Sequence, residues 1–189
     1  VLLRKGADFE AIGKKYQISP RLACLIRNRD VIGEEAVDRY LNGTISDLYD
    51  GMLMKDMDKA IDILKEKILE DKKIRVIGDY DIDGVNATYI LLEGLERLGA
   101  DVDSDIPDRI SDGYGLNRHL VERAYEAGVD TLITCDNGIA AADEIAYGKE
   151  MGMTVIVTDH HEVPFDEQDG EKRYRIPPAD AVMDPKQPD

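Results

Sequence analysis

IRVIGDYDIDGVNATYILLEGLERLG, residues 74–99, passes from a short β-branched apolar run, through three aspartates and a glycine, into a segment of helical periodicity. Residues 74–78 read as a buried strand, and residues 85–99 as a helix ended by Gly99. Between them, Asp79, Asp81 and Asp83 crowd three carboxylates into five positions. The spelling D-x-D-x-D-G is how a calcium-binding EF-hand loop begins. That loop also needs a glutamate at its twelfth position and a helix in front of it. Counted from Asp79, the twelfth residue is Ile90, and a strand comes first. The calcium reading therefore fails, which leaves a solvated acidic turn or the floor of a metal-dependent site.

The segments that follow choose between these two. VDSDI (102–106), TLITC (131–135) and TVIVT (154–158) read as strands; LNRHLVERAYEAG (116–128) and AADEIAYGKEMG (141–152) read as helices. Strands alternating with helices imply an α/β fold: a parallel sheet, right-handed crossovers and helices on both faces. A small helical segment precedes it. Ser19-Pro20 is a helix start, with serine as N-cap and proline at the first helical position. Residues 34–41 form a second short helix before Asn42-Gly43, and residues 57–70 a third, with Ile61, Leu64 and Ile68 on one face. The expected division is a helical segment over 1–56 and an α/β domain over 57–189. The tail, with Pro164, Pro177, Pro178, Pro185 and Pro188, reads as loop.

Composition bounds the function. The chain has 189 residues, 43% hydrophobic and 34% charged, enough for a buried core. No apolar run reaches the roughly 18–20 residues of a membrane helix, and Val1-Leu2-Leu3-Arg4-Lys5 carries no signal-peptide pattern. Cys24 and Cys135 lie far apart, which fits a reducing cytoplasm better than a disulfide framework. The net charge of -16 argues against a generic nucleic-acid-binding surface. Residues 1–30 are the exception, with seven basic against three acidic side chains, and read as an exposed basic helix face.

In an open parallel sheet the loops after the strands gather at one edge, where ligands bind. Asp79, Asp81 and Asp83 follow one strand, Asp136 another, and Asp159, His160 and His161 a third, so these residues should converge. Two carboxylates about 4 Å apart repel by roughly 4 kcal/mol at an effective dielectric near 20, and a cluster needs protonation or a bridging cation. Carboxylates with one imidazole suit Mg²⁺ or Mn²⁺ better than thiolate-bound zinc. Adjacent loop side chains point different ways, so one of His160 and His161 is expected on the metal and the other toward substrate. Arg109 and Tyr114, flanking Asp112-Gly113, could meet a phosphate and a base or sugar, or belong to a plain glycine turn. Asn137-Gly138 could start a helix or hold an anion on its free N–H groups. Cys135 reads as a packed strand residue and His119 as surface or structural; no serine or cysteine nucleophile motif, GxGxxG or P-loop occurs.

GDYDIDG, IPDRISDGYGL, TCDNGI and VTDHHE, in that order, resemble the motif set of the DHH phosphoesterase superfamily. LACLIRNRDVIGEEAVDRYLN and LMKDMDKAIDIL look like the N-terminal region of its bacterial single-strand-specific exonucleases, and the likeness runs from about Leu22 to Lys186. The resemblance implies Mn²⁺- or Mg²⁺-dependent 5′→3′ removal of nucleotides from single-stranded DNA, in recombination and repair, with two ions in the intact enzyme and no covalent enzyme intermediate. It implies Asp79, Asp81, Asp136 and His160 as metal ligands, Asp83 and Asp159 as supporting carboxylates, His161 facing the scissile phosphate, and Arg109 and Tyr114 facing the strand. Replication or repair proteins are the implied protein partners. Ile77 stands where some relatives carry a histidine, which removes one ligand. The family also supplies a further metal-binding aspartate and a glycine-rich second domain downstream, and the exonucleases an OB-type DNA-binding domain. The chain is thus expected to be an N-terminal fragment, weak or inactive alone. Two other functions fit the same fold: a phosphodiesterase of oligoribonucleotides or cyclic dinucleotides, or a pyrophosphatase, which the upstream segment disfavours; and a non-catalytic partner-binding module, disfavoured by the intact ligand set.

Overall fold

The computed structural model describes residues 6–168 and 170–188. The opening Val1–Lys5, with Arg4 and Lys5 of the basic segment, lies outside the described residues. The chain forms two compact units that divide between Asp50 and Gly51.

The first unit holds α1 (Phe9–Tyr16), α2 (Pro20–Asn28) and α3 (Glu34–Asn42). Ser19 caps α2 as its sequence implies, its Oγ accepting from the Leu22 N–H at 3.2 Å. Ala23, Ile26 and Val37 supply a small core. The Tyr16 hydroxyl donates to the Glu34 carbonyl at 3.0 Å, tying α1 to α3.

The second unit begins with a 3₁₀ turn and α4 (Met57–Leu69), then alternates: β1 (Ile74–Ile77), α5 (Ile82–Arg97), β2 (Val102–Asp105), α6 (Arg118–Glu126), β3 (Thr131–Cys135), α7 (Ala142–Glu150) and β4 (Thr154–Thr158). β5 (Phe165–Gln168), β6 (Glu171–Tyr174) and β7 (Ala181–Met183) complete it. Five strands form one parallel sheet in the order β2-β1-β3-β4-β7. Successive strand residues face opposite sides. Leu132, Val155 and Val157 enter a core with Leu120, Val121 and Ile145 of α6 and α7. Ile133, Cys135 and Ile156 enter a second core with Ala60 and Leu95 of α4 and α5. Helices on both faces bury β1, β3 and β4 from either side, which is why these strands read as near-continuous apolar runs. β2 lies at an edge and carries charge instead: Arg75 grips Asp103 through Nε and Nη2 at 2.6 and 2.7 Å, and Arg123 pairs with Asp105.

The structure departs from the sequence reading at two places. α5 starts at Ile82, because Asp81 caps it: its Oδ1 accepts from the Asp83 and Gly84 N–H groups, both at 3.0 Å. The proline-rich tail is not all loop. Its prolines flank strands and interrupt none, so β5 and β6 pair antiparallel and Ala181–Met183 add a fully buried strand beside β4. Among the described residues no helix is long and apolar enough to cross a membrane.

Candidate metal centre

The parallel register brings the carboxyl ends of β1, β3, β4 and β7 to one edge, with Ile77 beside Thr134, Cys135 beside Thr158, and Thr158 beside Met183. An aspartate follows each of these strands: Asp79, Asp136, Asp159 and Asp184. All four are buried.

The loop after β1 turns tightly onto α5. A Cβ on Gly84 would meet the Asp79 backbone at 2.6 Å, and one on Gly78 would collide with the Thr88 hydroxyl, which donates to the Gly84 carbonyl at 2.7 Å. Glycine at both positions lets the strand end press against the helix start. Asp79 is thereby fully enclosed, at 0% exposure, and neither of its carboxylate oxygens has a hydrogen-bond partner. Asp81 is exposed, and the hydrogen bond from the Gly84 N–H holds its carboxyl below the ordinary value. Asp83 is exposed on the first turn of α5.

After β3 the chain passes through Asp136 in the left-handed region, at φ 61°. Its Oδ1 lies 2.7 Å from His160 Nε2. Burial pushes the Asp136 carboxyl up, opposed by the His160 hydrogen bond and reinforced by the Asp81 charge. Asn137 is buried, and its Nδ2 donates to the carbonyls of Ile77 at 3.1 Å and Cys135 at 3.0 Å, bracing β1 against β3. Its Oδ1 is without a partner. Gly138, at φ 113°, packs where a Cβ would strike the Thr134 hydroxyl.

Asp159 organises the third loop. Its Oδ1 accepts from the His160 N–H at 2.7 Å, the His161 N–H at 3.2 Å and His161 Nδ1 at 2.7 Å; its Oδ2 accepts from the Ile139 N–H at 2.9 Å. Both oxygens are therefore committed to protein donors, the place of a carboxylate that positions other groups. The bond to Asp159 raises the His161 imidazole above its ordinary value. Because Oδ1 can only accept, Nδ1 carries hydrogen, and His161 Nε2 is turned to the Tyr114 hydroxyl, 3.2 Å away.

The loops after β3 and β4 converge. Asp136, His160 and His161 each present a ligand atom, all within 4.8 Å of one another. Burial first, then the charges of Asp79, Asp136, Asp159 and Asp81, pushes the Tyr114 hydroxyl up to about 12. A buried carboxylate without a donor, as at Asp79, is costly, and the oxygen and imidazole donors of Asp136, His160 and His161 suit a hard or borderline divalent ion. The residues present thus fit such a cation. Asp184 was not singled out in the sequence. It is 2% exposed, its Oδ1 accepts from the Lys186 N–H at 2.7 Å, and its Oδ2 has no partner. The signal was available: Ala181-Val182-Met183-Asp184 repeats, in shorter form, the apolar-strand-then-aspartate pattern of the three other loops.

Arg109 and Tyr114 lie on the 106–117 loop beside the centre. The Arg109 guanidinium sits 5.3 Å from the centroid of the Tyr80 ring, and Tyr80 and Tyr114 meet at 6.0 Å and 88°. On the α4–α5 side, a largely apolar cavity of about 560 Å³ lined by Met54, Leu64 and Met183 ends at Asp136 and His160.

The chain is similar to proteins already known. It is 38% identical over 179 residues to the single-stranded-DNA-specific exonuclease RecJ of Bacillus subtilis, a match covering 95% of this chain and 22% of that protein. The crystal structure of an exonuclease RecJ bound to manganese superposes with a TM-score of 0.62 at 37% identity, over 73% of this chain and 33% of that one. The RecJ of Thermus thermophilus in complex with Mn²⁺ superposes at 0.60 and 29% identity, over 94% and 23%. The chain thus spans between about a fifth and a third of these relatives. The family described as DHH family, N-terminal domain, matches residues 73–189, the whole of the sheet and every strand-end aspartate; the chain belongs to the DHH family.

Proposed function

We propose that this chain carries part of the catalytic centre of a Mn²⁺- or Mg²⁺-dependent 5′→3′ exonuclease that hydrolyses phosphodiester bonds of single-stranded DNA, in a cytoplasmic repair or recombination role. The α/β domain is taken from Met57 onward, with residues 1–56 as a helical preface. Two observations carry the reading: Asp136, His160 and His161 bring their ligand atoms within 4.8 Å of one another, and Asp79, which follows the neighbouring strand β1, is fully buried with both oxygens unpartnered. The likeness to RecJ proteins, two of them crystallised with manganese, supports the choice of ion and substrate.

In this reading Asp79, Asp81, Asp136 and His160 hold the cation. A bound divalent ion supplies Lewis-acid stabilisation of phosphate charge and lowers the pKa of water. The remaining roles belong to the protein. Asp159 keeps the hydrogen of His161 on Nδ1 and aims Nε2 across the centre toward the scissile phosphate. Tyr114 sets the other limit on that ring and, with Arg109, receives the strand. Asp83 adds negative potential at the mouth. Asn137 braces the β1 and β3 ends, and Gly138 permits the turn that presents free N–H groups to an anion.

The test is calorimetric titration of the chain with Mn²⁺, paired with hydrolysis assays on 5′-phosphorylated single-stranded DNA, dinucleotides and pyrophosphate, using a protein of the relatives' full length that carries these residues. Binding in the micromolar to millimolar range, lost in Asp136→Ala, and preference for the DNA strand are the expected results. No heat of Mn²⁺ binding by a folded chain rejects the centre; preference for dinucleotides reassigns its substrate; full activity in Asp136→Ala favours a partner-binding module.

A further inference from the structure

We propose that Asp56 and Gln187 close the outer edge of the sheet with side chains that stand in for a sixth strand, and that this lock keeps β7 from pairing with β7 of a second copy. None of the residues assigned to the cation takes part.

An edge strand offers its outward backbone groups to any strand that can add to them. The two edges of this sheet are unlike. β2 (Val102–Asp105) carries two aspartates, whereas β7 is Ala181-Val182-Met183, apolar and buried throughout. β7 is the last strand of the sheet, beside β4. Met183 turns its carbonyl inward, to the Asp159 N–H at 3.0 Å. Val182, one residue back, turns both of its groups outward, where a further strand would meet them. Two side chains meet them instead. The Val182 N–H donates to Asp56 Oδ2 at 3.0 Å, and the Val182 carbonyl accepts from Gln187 Nε2 at 2.5 Å. Asp56 thus supplies the acceptor, and Gln187 the donor, that a neighbouring backbone would bring.

The lock overrides a local preference. Asp56 stands at the N-cap of α4, where a short acidic side chain ordinarily accepts from the first N–H groups of its own helix. It makes no such bond, and its backbone is left-handed at φ 60°. Its carboxylate reaches instead to a strand 126 residues later. Both partners are held in place. Lys55 Nζ donates to the Pro188 carbonyl at 2.9 Å, and the Gln187 N–H to the Asp184 carbonyl at 3.2 Å. Pro178, Pro185 and Pro188 have no N–H to offer and keep pairing from running past the strand. Val182 is the point at which a strand would start to add, and the lock sits on it.

The experiment pairs amide hydrogen exchange, followed by NMR at low concentration, with sedimentation velocity of the 189-residue chain at low and high concentration. Asp56→Gly removes the carboxylate and suits the left-handed backbone. It should speed exchange of the Val182 amide about 5- to 100-fold, the loss expected when a buried donor is left unpaired, and leave the Val157 amide of β4 unchanged. Asp56→Asn keeps an acceptor oxygen and should restore protection to within about threefold. With both outward groups uncovered, the double variant Asp56→Gly/Gln187→Ala should sediment faster as concentration rises, beyond any such trend in the native chain. Should circular dichroism show the double variant unfolded, Gln187→Ala carries the sedimentation comparison, with the Val182 carbonyl free to accept from a second copy. Unchanged Val182 exchange in Asp56→Gly, no rescue by Asp56→Asn, or a folded, unlocked variant that sediments as the native chain does, overturns the lock.

Discussion

Replacing Asp79 with asparagine should make the metal-free protein more stable and the metal-loaded protein less so. Asp79 is fully enclosed by the turn between Gly78 and Gly84, and neither oxygen meets a donor. A buried acceptor left without a partner costs about 1–3 kcal/mol, and a buried charge adds to that. Asparagine keeps the shape and removes the charge. The amide of asparagine stays equally unpartnered, so the gain is that of the lost charge alone, and in EDTA Asp79→Asn should gain about 1–3 kcal/mol. For a unit of this size each kcal/mol moves the midpoint by about 2–4 °C, so the expected rise is about 2–12 °C. Manganese reverses the order. A ligand at a hundred times its Kd stabilises by about 2.7 kcal/mol, which the native chain should show and the variant should lack. Thermal unfolding followed by circular dichroism, in EDTA and across a Mn²⁺ series, measures both effects. A variant less stable than the native chain in EDTA, with an unchanged response to Mn²⁺, would refute the reasoning.

Asp159→Asn should leave Mn²⁺ binding within about tenfold while reducing hydrolysis about 10- to 100-fold, because it removes a carboxylate that accepts from His160, His161 and Ile139; equal losses in both measurements would place Asp159 on the metal instead. Gly78→Ala should destabilise by about 1–3 kcal/mol, and in a Thr88→Ala background by clearly less, since the hydroxyl in the way is gone; additive costs in urea unfolding would show the clash is not with Thr88. Just before β3, burial raises the Asp130 carboxyl but the Lys67 and Thr131 hydrogen bonds outweigh it and hold it below 3.8. A depressed carboxyl contributes stability that is present above its ordinary value and lost as pH falls through the lowered one. Asp130→Asn should thus lower stability at neutral pH and converge on the native chain in acid, below about pH 4, so that the acid limb flattens; a loss as large in acid as at neutral pH would contradict this.

Most of the fold was legible because the parallel sheet is buried on both faces. IRVI, TLITC and TVIVT advertise themselves as apolar runs, and the first polar residue after each is an aspartate of the centre. The elements that escaped carry no such run. β7 is three residues long among prolines, and β5 and β6 are exposed along their length, held by their ladder and a Phe165–Tyr174 ring contact at 5.9 Å. With β7 went Asp184. Spacing alone was also silent on how labour divides within the site. Asn137 beside Asp136 reads as either a helix start or an anion-holding turn, yet its amide reaches back to Ile77, sixty residues earlier, through a contact that only the β1–β3 pairing creates. His160 and His161 take different carboxylate partners, Nε2 of one on Asp136 and Nδ1 of the other on Asp159, yet their rings stay 4.7 Å apart and both present a ligand atom to one cluster, so the spacing of two adjacent histidines does not divide their roles.

The left-handed backbone at Asp136 has an evolutionary consequence. With φ at 61°, the position tolerates glycine, asparagine and aspartate far better than other residues. Of these, aspartate alone brings a carboxylate. Folding and chemistry thus filter the same codon through different sieves, and their overlap is one residue wide. A saturation library selected for solubility should return Gly, Asn and Asp at 136; the same library selected for nuclease function should return Asp alone. Asparagine, reachable by a single base change, would be the foreseeable route by which a lineage silences this centre while keeping the domain intact as a scaffold.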